Sequence, residues 1–368
     1  MPTHSNQFSI LVKAHTPVLR SFNRFMPARM KDLARDLNVS VVTVSKALRD
    51  QSDISAATKK RILKRARELN YQPNWIARSL VSGRTHTIGL VVPNLMYSFF
   101  AEVAKGLSEK LRPSRYQVVI SISEENPSLE REEIDLLLAR RVDGLVLASA
   151  QPPTSAGLFR EIEERKVPYV LIDRKILGVQ ANYVGVDDEK VGEMATGHLI
   201  SCGCRMIAHI SGPRIATAVG RLNGYRKALV RHGRPVLSSL IVRGGSEDNS
   251  GYNAMRRLLA ARRRPDGVFC FNDPVAAGAV KAVLEAGLRV PHDIALVGVG
   301  NVHYSDQLRV PLSTVDQSSA QVGRNAAELL LRLIEKRTSR TQAILLPPQL
   351  IVRDSSFRNG ALRHPAHD

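Results

Sequence analysis

The stretch Met30-Lys-Asp-Leu-Ala-Arg-Asp-Leu-Asn-Val-Ser-Val-Val-Thr-Val-Ser-Lys-Ala-Leu48 decides how this chain is read. Leu33, Ala34 and Leu37 share one face of a short helix predicted over about 31–37. Ala34 is small enough for a second helix to cross closely there. Asn38 tolerates the left-handed backbone that a tight turn demands. Ser40 is a good N-cap for a second helix over about 41–49, with Thr43 three residues later. That helix is expected to bury Val44 and Leu48. Two short helices around one tight turn form a helix-turn-helix, whose second helix fits the DNA major groove. Its outward face carries Val41, Val42, Thr43, Ser45 and Lys46, and the start of a recognition helix is what reaches base edges. Val41 and Val42 have only apolar contacts to offer, such as to a thymine methyl, whereas Lys46 can donate to guanine or phosphate. The competing reading is that one of the valines packs on a third helix.

Moving outward, Ser55 caps a third helix over about 56–70. Ile62, Ala66 and Leu69 are its core stripe, and Lys59, Lys60, Arg61, Lys64, Arg65 and Arg67 cover the rest. Such a run is ordinarily a solvated face; beside a recognition helix, part of it is expected to meet phosphates. In Pro73-Asn74-Trp-Ile-Ala77-Arg78-Ser-Leu80-Val-Ser-Gly83, Asn74 caps and Gly83 stops a helix of two turns. A helix that short is marginal alone, so it is expected to order on docking, and DNA is the natural template. Residues 1–28 carry Lys13, Arg20 and Arg24 and no acidic residue. They are read as a disordered extension or as sequence ahead of a start at Met26 or Met30, or else as a basic arm against phosphates.

The charge agrees with a nucleic-acid partner. The 368 residues carry a formal net charge of +19. Residues 1–84 hold 16 Lys/Arg and 5 Asp/Glu, so over half the excess sits in under a quarter of the chain. A concentrated basic end marks a polyanion binder. Three cysteines make no disulfide framework and point to a reducing cytoplasm. No apolar run approaches the length of a membrane span.

From Thr85 the pattern changes. Apolar runs at 88–92, 118–122, 144–148, 169–172, 207–211, 268–271 and 295–299 alternate with helical stretches such as 129–140, 158–165, 221–231 and 276–286. Strands alternating with helices predict an α/β core of parallel sheets covered on both faces. Ligands of such sheets bind at the carboxyl ends of the strands.

Three blocks at the DNA-reading end resemble the lac/gal repressor (LacI/GalR) family: Val39-Ser40-x-x-Thr43-Val44-Ser45, Leu69-Asn70-Tyr71-x-Pro73-Asn74 and Ala77-Arg78-Ser79-Leu80. The resemblance continues to about Asp354. It runs through Phe99-Phe100-Ala-Glu-Val, Arg140-Arg141-Val-Asp-Gly144, Ile172-Asp173-Arg174, Val186-Asp187-Asp188, Gly212-Pro213, Gly220-Arg221-Leu-Asn-Gly224-Tyr225, Cys270-Phe-Asn272-Asp273, Val290-Pro-x-Asp293 and Pro311-Leu-Ser-Thr-Val315. It implies a helix-turn-helix domain at 29–73, a hinge helix at 74–84 and a two-lobed, periplasmic-binding-protein-like core at 85–354. Lobe 1 would hold about 85–186 and 317–346, lobe 2 about 188–315 and 347–354, with a tail at 355–368. The resemblance also implies a homodimer whose paired hinge helices enter the minor groove, with Leu80 wedging the central base step. The bases would be read by Val41, Val42 and Lys46, with Ser40, Thr43, Ser45, Asn74, Ala77 and Arg78 also at the operator.

By the same resemblance a small effector, a sugar or sugar acid, lies between the lobes against Phe99, Phe100, Asp173, Arg221, Asn272 and Gly300. The chemistry suits a polyol: a carboxylate accepts from hydroxyls, an amide does both, and a guanidinium forks onto oxygens. Phe99 or Phe100 as plain core, and Asp173 with Arg221 as a structural ion pair, are the competing readings. Two positions depart from the family pattern. Gly298-Val299-Gly300-Asn301 lacks a carboxylate common in its third place, and Ser246 stands where an aromatic is usual. Losing a carboxylate beside Arg221 makes an acidic ligand easier to hold.

Enzyme readings find little support. The phosphate-loop, nucleophile-elbow and zinc-protease signatures are all missing, and Gly298-Val-Gly300 has no third glycine. His198-x3-Cys202-x-Cys204-x4-His209 contains zinc-ligand types, but on a helix-to-strand segment that points them apart. No metal or cofactor is expected. The expectation is a cytoplasmic, allosteric repressor of operator DNA. The alternatives are a sugar-binding protein of the transport type, which would need a signal sequence and no DNA domain, and a cytoplasmic sugar enzyme.

Overall fold

The computed structural model describes residues 28–72, 79, 83–96, 98–336 and 340–357. The chain falls into two compact units that divide between Arg78 and Ser79.

The first unit is three helices, α1 (Met30–Leu37), α2 (Val41–Leu48) and α3 (Ala56–Glu68). Leu33, Ala34, Val44, Ala47, Ile62 and Ala66 form its core. Asn38 joins α1 to α2 with φ at 52°. The Ser40 side chain accepts from Thr43 N at 3.0 Å and so satisfies an otherwise orphaned donor of α2. One expectation needs correction. On α2 the fully buried partner of Val44 is Ala47, while Leu48 is only half-buried, because i and i+3 point most directly at α1 and α3.

The second unit is built on two six-stranded sheets. The first takes β1 (Thr87–Val92), β2 (Gln117–Ile122), β3 (Gly144–Leu147), β4 (Tyr169–Ile172), β5 (Asn182–Val186) and β11 (Ala343–Leu346) in the order β2-β1-β3-β4-β5-β11, all parallel. The second takes β6 (Ile207–Ser211), β7 (Ile241–Arg243), β8 (Gly267–Cys270), β9 (Ala295–Val299), β10 (Ser313–Asp316) and β12 (Gln349–Ile351) in the order β7-β6-β8-β9-β10-β12. Only β12 runs antiparallel there. Helices α4 (Ser98–Leu111) and α11 (Ser319–Ile334) cover one face of the first sheet, and α5 (Pro127–Ala139) and α6 (Gly157–Glu164) the other. On the second sheet, α7 (Asp188–Ser201) and α8 (Ala216–Arg231) lie opposite α9 (Asp248–Ala260) and α10 (Asp273–Glu285). The near-continuous Val/Ile/Leu of strands such as β3 and β4, buried at every position, is what a sheet covered on both faces demands.

The chain passes between the sheets three times: from β5 to α7, from β10 to α11 and from β11 to β12. Lobe 2 also reaches further than the sequence suggested. Ser355 and Ser356, expected in the tail, are fully buried. The Ser355 hydroxyl donates to Leu296 O at 2.7 Å and accepts from Ser313 N at 2.8 Å, which locks the chain end onto β9 and β10.

Three helix pairs cross on glycines. Gly106 and Gly323 join α4 to α11, Gly192 and Gly224 join α7 to α8, and Gly251 and Gly278 join α9 to α10. A Cβ at any of the six would run into the backbone of the facing helix. Such pairs let two helices approach closer than side chains permit, and α7 with α8 carry the residues that meet at the cleft.

Candidate functional site

On the first unit, Val41 and Val42 are 39% and 62% exposed and neither belongs to the three-helix core. The Ser40 and Thr43 hydroxyls lie 2.8 Å apart, and Ser45 is half-buried beside them. Lys46 forms an exposed ion pair with Asp53. Solvent screens such an exposed pair, so a competing anion can displace it. Asn74, Ala77, Arg78 and Leu80 lie outside the described residues; Gly83, just beyond them, has φ at 68°.

In the second unit a cleft opens at the carboxyl ends of both sheets. Phe99, Phe100, Asp173, Arg221, Asn272 and Gly300 all line it. Phe99 and Phe100 meet edge to face with centroids 5.0 Å apart on the lobe 1 side. Ile215 and Phe271 form an apolar wall on the lobe 2 side. Gly300, at φ 131°, places bare backbone at the opening where a carboxylate was noted as missing.

The polar groups are less free than their types suggested. Arg221 is 3% exposed, with Nε donating to Asp188 at 3.0 Å and Nη1 to Phe271 O at 2.7 Å. Its guanidinium stacks 4.8 Å from the Phe271 ring. The fork is therefore partly engaged, and Nη2 makes no hydrogen bond among the described residues. Asn272 caps α10, its Oδ1 accepting from Val275 N at 2.9 Å, while Nδ2 donates to Ser246 O at 2.9 Å. One N–H of Nδ2 and one lone pair of Oδ1 remain for a ligand. Asp173, held at φ 60°, lies 3.6 Å from Arg174 Nε.

The sequence reading missed four side chains. Arg174 makes a two-pronged pair with Glu125, at 2.7 and 2.6 Å, beneath Asp173. Among the described residues Thr217 has a buried hydroxyl without a hydrogen-bond partner, and Gln317, 5% exposed on the crossover after β10, makes no side-chain hydrogen bond; both line the cleft. Position was the available signal: Arg174 follows Asp173 directly, and Gln317 lies two residues past the Pro311–Val315 block. Asp273, next to Asn272, is structural. Fully buried, it accepts from Thr314 Oγ1 at 2.6 Å, Ser305 Oγ at 2.8 Å and Val302 N at 3.1 Å, tying the loop after Gly300 to β10.

Burial pushes the Asp188 carboxyl up, to about 7, against the pull of Arg221. The folded state therefore holds this proton more tightly than the unfolded one. The stabilisation is complete below about pH 4 and is lost as pH rises through 7, with a slope of at most about 1.4 kcal/mol per pH unit. Asp188→Asn is expected to remove that slope. Denaturation midpoints of variant and wild type measured from pH 5 to 8 should diverge in the variant's favour as pH rises, and a constant gap would disprove the assignment.

His198, Cys202, Cys204 and His209 do not converge. Cys202 Sγ is 3.5 Å from His198 Nε2, but Cys204 Sγ faces Asp266 O. His209 is stacked between Phe269 and Tyr225, its Nδ1 at 3.0 Å from Phe269 O, and burial lowers its pKa to about 4. It is a neutral core ring. Among the described residues no three His, Cys, Asp or Glu are grouped to hold a metal ion, and no helix is long and apolar enough to cross a membrane.

Residues 29–74 match the family described as bacterial regulatory proteins, lacI family, and residues 196–356 match a periplasmic binding protein-like domain. Over 330 residues, 89% of this chain and 98% of the relative, the sequence is 32% identical to the HTH-type transcriptional repressor PurR of Histophilus somni. The chain belongs to the LacI family. It is a DNA-binding transcriptional regulator and not an enzyme. The regulator is also 33% identical, over 89% of its length and 98% of the relative's, to the probable HTH-type transcriptional repressor ExuR of Bacillus subtilis. Among solved structures it is similar to the Lac repressor dimer bound to operator and the anti-inducer ONPF, with a TM-score of 0.81, 26% identity and coverage of 90% and 100% of the two chains. It is likewise similar to the transcriptional regulator CelR–cellobiose complex, with a TM-score of 0.68, 31% identity and coverage of 89% and 99%.

Proposed function

We propose that the regulator is a cytoplasmic, homodimeric repressor of a palindromic operator, released or engaged by an uncharged sugar in the interlobe cleft. The observation that carries the ligand class is the charge balance of the cleft. Arg174 is matched by Glu125 and, with Asp188 ionised above about pH 7, Arg221 by Asp188, which leaves Asp173 over rather than a spare cation. A sugar acid would add a second unmatched negative charge, so the expectation of an acidic ligand gives way to a neutral one. Aromatic rings on one wall, with a carboxylate, an amide and a hydroxyl on the others, suit the two faces of a sugar ring. The CelR neighbour is described with cellobiose bound.

The cleft leaves a cavity of about 70 Å³. Ligand pockets measure roughly 300–1,000 Å³, so the lobes part about their three crossovers to admit a ligand and close on it. That motion, passed through residues 73–84, sets operator affinity. Effector and operator then change each other's affinity by the same factor, a coupling of about 1–3 kcal/mol. A thermal-shift screen of neutral sugars and sugar acids, followed by operator titration with each hit, tests this. A response confined to sugar acids would overturn the ligand class, and a hit that leaves operator affinity unchanged would overturn the coupling.

Ser40, Val41, Val42, Thr43, Ser45 and Lys46 form the base-reading face in this proposal, with Asn74, Ala77, Arg78 and the wedge Leu80 at the hinge. Replacing both valines (V41A/V42A) is expected to cost about 1–3 kcal/mol on the preferred operator and almost nothing on random duplex. Equal losses on the two duplexes, read by anisotropy titration, would remove the valines from base reading.

A further inference from the structure

The helices of the two lobes end differently. In lobe 2, α7, α8 and α10 close on Gly203, Gly233 and Gly287, with φ of 81°, 65° and 72°. Glycine is the usual residue at such left-handed closures because a Cβ is disfavoured there. In lobe 1, α4 with its following 3-10 turn, α5, α6 and α11 close on Arg115, Arg141, Lys166 and Lys336, with φ of 59°, 55°, 57° and 55°. Four long cations stand where glycine would be easier. All four are exposed, and among the described residues none makes a side-chain hydrogen bond or ion pair. Cations do favour the negative end of a helix dipole. The helices of lobe 2 have the same dipole and close on glycine, so the dipole alone does not account for the difference.

Their placement is specific. The first sheet is wholly parallel, so the amino ends of its strands lie along one edge, and these four residues each precede a strand there. The cleft occupies the opposite edge. The chain coming from the DNA-reading unit enters β1 at this same edge through 83–86. Arg141, Lys166 and Lys336, with Arg84, line an open groove of about 1010 Å³. Its two carboxylates are engaged: Asp143 accepts from Thr85 N and His86 N, each at 2.9 Å, and Glu163 from Tyr169 Oη at 2.8 Å. Residues 73–82 span at most roughly 35 Å, so a duplex held by the first unit is within tether of this edge.

We propose that the amino edge of lobe 1 is a second, sequence-independent DNA contact, in which Arg115, Arg141, Lys166 and Lys336 bind backbone phosphates. Phosphate contacts position a protein on the duplex without reading bases, and the steric cost at four closures is kept for the charge. The inference rests on the chain's membership of a DNA-binding family.

The test compares full-length wild type with the quadruple variant R115G/R141G/K166G/K336G. Glycine removes the cations and relieves the backbone at once. Both proteins are titrated, over a range of salt, with a duplex that the wild type selects from a random-sequence library, kept with flanks of about ten base pairs. We expect affinity to fall about tenfold or more and the slope of log K against log salt to flatten by about 2 or more, with a melting temperature equal to or above that of the wild type. Unchanged affinity, or weaker binding at an unchanged slope, would overturn the proposal. So would a lower melting temperature, which assigns the cations to closing the helices. A wild-type-only thermal shift with inorganic pyrophosphate or ATP, at unchanged DNA affinity, would make the groove a small-phosphate site instead. Failure of the wild type to select any duplex would count against DNA binding itself, and so is distinguishable.

Discussion

Gly224→Ala is expected to be among the most damaging single methyl additions in this protein. The new Cβ would press on the Glu189 carbonyl oxygen and lie 2.7 Å from Glu193 N, both on the backbone of α7. No rotamer can relieve a clash with backbone, so α8 has to move bodily away from α7. Overpacking of this kind costs about 1–3 kcal/mol and occasionally more, and the gain of roughly 1 kcal/mol in helix propensity does not offset it. Arg221 lies one turn before Gly224 on α8, and its bonds to Asp188 and Phe271 O cross that interface. A shift of α8 therefore also misplaces Nη2, and ligand affinity should fall with stability. Gly197→Ala is the matched control: it lies on α7 with open space where its Cβ would go, and should stabilise by up to about 1 kcal/mol. Thermal denaturation of both variants checks the pair, and similar melting temperatures would show that the α7–α8 crossing is not glycine-limited.

The second large effect is expected for Arg221→Met. The substitution strands Asp188 in a buried site and leaves Phe271 O without its donor. Breaking a buried pair from one side costs about 3–5 kcal/mol, mostly the penalty of the charge left behind. Asp188 already sits high because of burial, so it escapes part of that penalty by taking a proton, and the loss should be smaller at pH 5 than at pH 8. Ligand affinity should drop by about 1.5–3 kcal/mol, the worth of a charged hydrogen bond from Nη2. The double variant R221M/D188N removes both charges. It should recover most of the stability and none of the binding. If binding returns with stability, Arg221 supports the cleft without touching the ligand.

Much of this architecture is legible in the chain because the interactions that make it are local. Asn38, the Ser40 cap and the Leu33–Ala34–Val44 contacts lie within a dozen residues, so periodicity and capping suffice to place α1 and α2. Strands such as β3 and β9 are apolar throughout, and their existence follows from composition. The edge strand at 241–243, three residues long, was not singled out, nor were those at 182–186, 313–316, 343–346 and 349–351. All five are short, the last four flank the crossovers, and in β11 half of the residues are exposed, which gives a weak pattern. Helices α4 and α11 were likewise not singled out as helices. Their glycines and mixed stripes weaken helix periodicity, and the same glycines are what tertiary packing requires.

The residue types proposed to face DNA and ligand were set by the sequence alone, as was the family to which the chain belongs. Tertiary structure alone decided what those residues have left to give. Arg221 meets Asp188 33 positions away and Phe271 50 positions away, and Asn272 meets Ser246 across 26. Contacts between such distant positions leave no periodic trace in a sequence, yet they fix which hydrogen bonds are already made. The same holds for Arg115, Arg141, Lys166 and Lys336: scattered over more than two hundred residues, they share an edge only because parallel strands bring every helix back to it.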